Sequence, residues 1–327
     1  MTPPPVFIVA CDRSGTTMLR LILDRSAEVA VPTESMILVD FAAHAGDALA
    51  TDAEFDRLAR AVWRHPKVRE WALRGGPPAR AGRTGAAAFR AAIEAPFQAY
   101  ADLHGKPRWA DKTPYYVGEL DLVKRVFPEA RIVNLVRDGR DVALSLLRVP
   151  FGPSNVWAAA RQWRAAVDAG DAAQARYGKD VLTIRYEDLV ADPGPVVRRV
   201  CAFCEIAYRP EMLAIEESAA GKLAAGQEGW FTELYAGIGT RSVGKWRTQM
   251  TPAQRAVFAA EASEALRRHG YDVPDPAEPP PRVPAAAYAA HNWAVKFWNF
   301  ARLHVWQERG REVPHILRRR LRRGSTR

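Results

Sequence analysis

The sequence predicts an α/β fold built on a central, mostly parallel sheet. Short apolar, β-branched runs alternate along the chain with segments of helical periodicity. The first run leads straight into a Ser/Gly/Thr loop that opens a helix, a strand–loop–helix unit typical of such sheets. The 327 residues, 48% hydrophobic and 26% charged, can bury a core and exceed one small domain without filling two large ones.

Val6–Ala10 reads as a buried opening strand, and Thr16–Arg25, with Met18, Leu19, Leu21, Ile22 and Leu23, as a helix packed on the sheet. Val29–Val31 is a second short strand that ends at Pro32. Residues 35–105 form a helical insertion on the acceptor side, with helices near 52–64 and 86–103 parted by a Gly/Pro/Arg loop at 74–85. Arg131–Val136 is the next strand, followed by the Asp138–Gly139 turn and a helix to about Leu147. A helix around 156–177 leads to the strand Val181–Tyr186. The main domain spans residues 1–275, a stiff linker containing Pro279-Pro280-Pro281 spans 276–287, and a basic aromatic helical tail spans 288–327.

The net charge of +10 looks like a nucleic-acid signal until it is divided. Residues 282–327 hold ten arginines and one lysine against two glutamates, a net +9, which leaves the rest of the chain at +1. Nucleic acid is therefore not an expected partner of the main body. The tail has three readings: a brace packed on the body, a helix lying on an anionic membrane, or a seat for an acidic partner.

No run of about 18 apolar residues is present, so no transmembrane helix is expected, and the N-terminus lacks the basic region of a signal peptide. Three cysteines make no disulfide framework, which points to a reducing cytoplasm. Cys201 and Cys204 form a CxxC without a second ligand pair and read as core residues. The seven histidines are scattered, so no metal site is expected.

The stretch after the first strand, Cys11-Asp12-Arg13-Ser14-Gly15-Thr16-Thr17, carries the most chemistry. Gly15 allows close backbone approach, and the helix start presents amides and a positive dipole end to an anion. Against the nucleotide-triphosphatase loop G-x-x-x-x-G-K-[ST], Ala10 stands for the first Gly and Thr16 for the Lys. An ordinary ATPase or GTPase is thereby disfavoured, and Arg13 can supply positive charge from the loop. Arg137 ends a second strand, where open α/β sheets bind ligands, and Ser145 follows about two helical turns into the next helix. A guanidinium fork and a hydroxyl suit a monophosphate; the plainer reading pairs Arg137 with Asp138 or Asp141.

Two anion sites at two strand ends resemble the sulfotransferases that use 3′-phosphoadenosine 5′-phosphosulfate (PAPS), in particular the branch of protein-tyrosine sulfotransferases and their bacterial relatives. Arg13 to Thr17 is similar to the family's 5′-phosphosulfate loop, and Arg137 through Ser145 to its 3′-phosphate segment. Tyr186, in Arg185-Tyr-Glu-Asp-Leu189, resembles a tyrosine near the nucleotide, and Arg241-Ser-Val-Gly-Lys-Trp246 the late loop over the 3′-phosphate. The likeness covers about residues 6–270.

The resemblance implies a P-loop-like three-layer fold, PAPS as co-substrate, no metal, and a hydroxyl acceptor on a metabolite, sugar, lipid or peptide. It also implies site roles. Glu34 falls at the spacing of a catalytic base, and Lys112 matches a lysine near the bridging oxygen, sharing the leaving group's charge with Arg13. Ser14, Gly15, Thr16 and Thr17 would bind the 5′-phosphate, while Ser242, a nearby backbone amide and Lys245 are candidates for the 3′-phosphate. His44 or His104 is the fallback base. The acceptor pocket would draw on residues 35–105, Leu147–Trp157 and Gly226–Gly239, where Trp230, Phe231 and Tyr235 offer an apolar wall. The rival readings are a nucleotide or small-molecule kinase and a non-catalytic PAPS-binding module.

Overall fold

The expected first strand, β1 (Val6–Ala10), is wholly buried and lies in the middle of a five-stranded sheet. The structure, a computed structural model, describes residues 3–216, 235–274 and 283–307. The other strands are β2 (Val29–Ala30), β3 (Arg108–Lys112), β4 (Arg131–Val136) and β5 (Val181–Arg185). Their order is β2-β3-β1-β4-β5, and every pairing is parallel. Parallel strands need crossovers, and the helical segments between them supply these.

In chain order the helices are α1 (Thr16–Asp24), α2 (Ile37–Asp40), α3 (Asp52–Trp63), α4 (Pro66–Arg69), α5 (Gly85–Leu103), α6 (Leu120–Val126) and α7 (Gly139–Leu146). They continue as α8 (Val156–Tyr177), α9 (Tyr186–Ala191), α10 (Pro193–Cys204), α11 (Trp246–Gln249), α12 (Pro252–Arg268) and α13 (Ala285–Gln307).

Because side chains alternate along a strand, β1 feeds two cores. Phe7 and Val9 pack with α3, α5, Trp109 and Phe127 on one face. Val6, Ile8 and Ala10 pack with α1, α9 and α10 on the other, where Cys201 and Cys204 are buried free thiols, pushed up to about 11 and about 12 mainly by burial. A third cluster joins α7, α8, α11 and α12. There Gly139 is required by close approach: a Cβ would stand 2.4 Å from Trp163 and 2.6 Å from Phe258.

Strand β3 was not expected from the sequence. Its residues, Arg-Trp-Ala-Asp-Lys, lack the apolar alternation of a strand, yet all five are buried. The fold tolerates them because each charge finds a partner elsewhere. Arg108 donates to the carbonyls of Pro4 and Glu205, both at 2.8 Å. Asp111 accepts from Thr113 at 2.7 Å, and Lys112 reaches Glu34 at 3.3 Å.

The boundary between the linker and the tail shifts: α13 begins at Ala285, three residues inside the expected linker, whose start lies outside the described residues. Trp230 and Phe231 also lie outside them.

Candidate functional site

From β1 the chain first builds β2 and β3 on one side and then β4 and β5 on the other. The order reverses around β1, and it is beyond the carboxyl ends of the strands at such a reversal that open α/β sheets hold ligands. All five strand ends deliver a predicted residue there. Glu34 follows β2, Lys112 ends β3, Arg13–Thr17 follow β1, Arg137 follows β4 and Tyr186 follows β5.

The loop after β1 is held open by its backbone. Arg13 (φ 70) and Gly15 (φ 98) take left-handed conformations, and α1 begins on Gly15 without a side-chain cap. The first turn of the helix therefore faces the loop with amides no side chain caps. Ser14 Oγ is buried and has no hydrogen-bond partner, which is what a seat for a polar ligand presents. Thr16 is buried and Thr17 half-buried in the same turn. Tyr186 roofs the loop: a Cβ on Gly15 would come within 2.5 Å of its ring.

The loops after β1 and β4 touch. Arg13 Nε donates to Ser145 Oγ at 3.0 Å, and Arg137 Nη1 donates to the Arg13 carbonyl at 3.1 Å. The sequence suggested Ser145 beside the Arg137 guanidinium; Ser145 Oγ accepts from Arg13, because β4 lies directly beside β1 and α7 runs back over the first loop. Arg137 Nη2 donates to the Ser242 carbonyl at 2.6 Å, and its guanidinium lies 4.6 Å from the centre of the Tyr186 ring. Trp163 Nε1 fixes the Arg137 carbonyl at 3.0 Å.

Burial raises the Asp141 carboxyl pKa and the Arg137 charge acts to lower it, and both neighbouring carboxylates also have other partners. Asp138 is taken by Arg140 at 2.7 Å, and Asp141 accepts from the amides of Gly244 (2.7 Å) and Trp246 (2.9 Å). Arg137 Nε is buried without a partner. Burial, and then the neighbouring Arg137 charge, lower the pKa of Arg13. The buried Arg137 and half-buried Arg13 guanidinium groups repel each other beside orphaned polar atoms, an arrangement whose chemistry suits an anion of more than one charge.

The sequence offered Asp141 only as a partner for Arg137, yet it carries the late loop. With the Arg140 guanidinium 3.6 Å from the Trp246 ring centre, it pins residues 242–246 onto the first turn of α7. Val243 donates to the Thr240 carbonyl at 2.9 Å, so the Val243, Gly244 and Trp246 amides are already engaged. Ser242, buried, and Lys245, half-buried, lie in the same loop. Glu187 is a second unforeseen tie: it accepts from the Asp138 amide (2.9 Å) and the Tyr271 hydroxyl (2.8 Å), joining the ends of β4 and β5.

One strand over, Lys112 is nine-tenths buried and pairs with the more open Glu34 carboxylate, 37% exposed, at 3.3 Å. Burial lowers the Lys112 pKa, while Glu34 raises it. Beneath the pair sits Asp111, pushed up to about 7 by burial and, more weakly, by Glu34. It accepts from Thr113 Oγ1 (2.7 Å) and Ser35 Oγ (3.4 Å), linking the β3 end to the loop that carries Glu34. The fallback bases sit elsewhere: His44 is exposed and pairs with Asp47 at 2.7 Å, and His104 packs against the Tyr100 ring at the end of α5. Among the described residues no cluster of His, Cys, Asp or Glu could hold a metal.

Comparison with known proteins identifies the family. The family model described as the sulfotransferase family matches residues 4–210. Protein-tyrosine sulfotransferase A of Caenorhabditis elegans is 24% identical over 280 residues, covering 83% of this chain and 68% of that protein. The nodulation protein NoeE of Sinorhizobium fredii is 25% identical over 299 residues, covering 83% of this chain and 67% of that one. Among solved structures, the sulfotransferase domain of the Synechococcus PCC 7002 olefin synthase gives a TM-score of 0.59 at 22% identity, covering 83% of this chain and 96% of that chain. The sulfotransferase domain from the curacin biosynthetic pathway gives 0.55 at 19% identity, covering 83% and 99%.

Proposed function

The chain belongs to the sulfotransferase family, and from that premise we propose that it moves the sulfuryl group of PAPS to an acceptor hydroxyl by in-line displacement. The observation that carries this reading is the contact of the two anion loops, Arg13 Nε on Ser145 Oγ at 3.0 Å with Arg137 bonded to the Arg13 backbone. One molecule bearing phosphate groups at both ends would span that join. PAPS supplies the activated sulfuryl group. Arg13, Ser14, Gly15, Thr16 and Thr17 hold its 5′ end, and Arg137, Ser145, Ser242 and Lys245 its 3′-phosphate, with Tyr186 packed beside both.

Glu34 then takes the proton of the acceptor hydroxyl as general base. Lys112 faces the negative charge that grows on the departing phosphate oxygen, and Arg13 shares it. The Glu34–Lys112 pair holds both groups oriented before substrate arrives. The relatives named as protein-tyrosine sulfotransferases support a hydroxyl acceptor, whether on a peptide, sugar, lipid or metabolite. Three buried free thiols support a reducing compartment such as the cytoplasm.

Calorimetry with 3′,5′-adenosine bisphosphate, with and without EDTA, tests the donor site. Wild type is expected to bind regardless of EDTA, and Arg137→Ala to lose affinity on the order of tenfold to a hundredfold, as for a charge-assisted bond. Unchanged affinity in the variant refutes the 3′-phosphate assignment.

A further inference from the structure

Helix α13 is built inside out. Tyr288, Asn292, Val295, Lys296 and Asn299 are its partly buried residues, at helical spacing along one side. That side is mainly polar and is fastened to the start of α8. The amide and hydroxyl of Ser154 donate to Asn292 Oδ1 at 2.8 and 3.0 Å, and Asn155 Nδ2 donates to the Tyr288 carbonyl at 2.9 Å. Tyr288 stacks on Trp157, centroids 5.9 Å apart.

The opposite side carries Ala290, Trp293, Ala294, Phe297 and Trp298, all exposed and none charged. Trp293, Phe297 and Trp298 are 61%, 57% and 64% exposed, and the Trp293 and Phe297 rings stack on each other in the open at 5.4 Å. A helix serving only as a brace would turn these rings inward. The first turns do brace the body through Tyr288, but the aromatic side faces out.

Charge selects what covers it. Residues 282–327 carry +9, and Ala285–Gln307 contains no Asp or Glu. A second copy seated on this face would bring two such segments together, which repulsion opposes. An anionic lipid surface satisfies both features at once: tryptophan and phenylalanine enter the headgroup boundary, and the arginines meet the lipid charge. We propose that the Trp293/Phe297/Trp298 face of α13 docks the protein on an anionic membrane surface, without crossing it. No described helix is long and apolar enough to cross a membrane.

The test uses the full chain and vesicles of phosphatidylcholine alone or mixed with phosphatidylglycerol. Wild type is expected to co-sediment with the mixed vesicles and far less with the neutral ones. The combined Trp293→Ser, Phe297→Ser and Trp298→Ser variant is expected to partition on the order of tenfold less onto the mixed vesicles. Its affinity for 3′,5′-adenosine bisphosphate should equal that of wild type, showing that the body is folded. The proposal is overturned if the triple variant binds mixed vesicles as wild type does, since the arginines alone would then suffice. It is overturned equally if wild type ignores them, or binds polyglutamate instead, or forms a dimer that the triple variant loses. Neither this proposal nor its failure bears on the donor site, which calorimetry reads separately.

Discussion

Gly15→Ala is the sharpest probe of the anion loop, because two separate penalties can be read from the structure. The residue sits at φ 98, where an L side chain costs about 1–2 kcal/mol. The new methyl would also lie 2.5 Å from Tyr186 Cδ2 and 2.7 Å from Cε2, overpacking of about 1–3 kcal/mol unless the ring moves. Together these predict a loss of about 2–5 kcal/mol and a fall in Tm of roughly 4–10 °C. A ring that moves also leaves the Arg137 guanidinium it packs on at 4.6 Å, so affinity for 3′,5′-adenosine bisphosphate should drop on the order of tenfold to a hundredfold. A double-mutant cycle with Tyr186→Ala separates the parts by calorimetry and thermal unfolding. Without the ring, Gly15→Ala should retain only the backbone penalty, leaving a coupling of about 1–3 kcal/mol. Additivity of the two changes, or a Gly15→Ala protein within about 0.5 kcal/mol of wild type, would refute the account of Tyr186 as the roof of the loop.

Two further outcomes follow from the carboxylates near β3. Glu34→Gln should lower the rate of sulfated product formation from PAPS by about 10²–10⁴-fold while bisphosphate affinity stays within about twofold of wild type. A variant as fast as wild type would remove Glu34 as the base. For Asp111, whose folded pKa is raised to about 7, the unfolded chain ionises near pH 4 while the folded chain keeps its proton. Between about pH 4 and 7 the folded state therefore binds the extra proton, and its stability falls as pH rises, flattening above about 7. Urea unfolding at pH 5 and pH 8 should show wild type losing roughly 3 kcal/mol more than Asp111→Asn over that interval. Equal losses would count against a protonated Asp111.

Much of the frame was legible along the chain because its signals are local. β1, β4 and β5 are apolar runs that a sheet core must bury, and the Gly15 loop announces a helix start by residue type alone. α8, at Val156–Tyr177, lies where its periodicity places it. β3 was hidden for the opposite reason. Its arginine, aspartate and lysine look like a surface segment until Pro4, Glu205, Ser35 and Glu34 arrive from distant parts of the chain to pair with them. The same holds for Asp141 and Glu187, whose partners are backbone amides and a hydroxyl 49 to 105 residues away.

Composition and spacing alone thus established a parallel α/β chain, a Gly15 loop without the P-loop lysine, and a basic tail set apart from a neutral body. Folding determined who meets whom: Ser145 with Arg13, Glu34 with Lys112, and the rings of α13 with solvent. The division is physical. Periodicity and loop chemistry act between neighbours a few residues apart, whereas a buried charge or an outward aromatic is defined by its surroundings, and those exist only once β1 lies between β3 and β4.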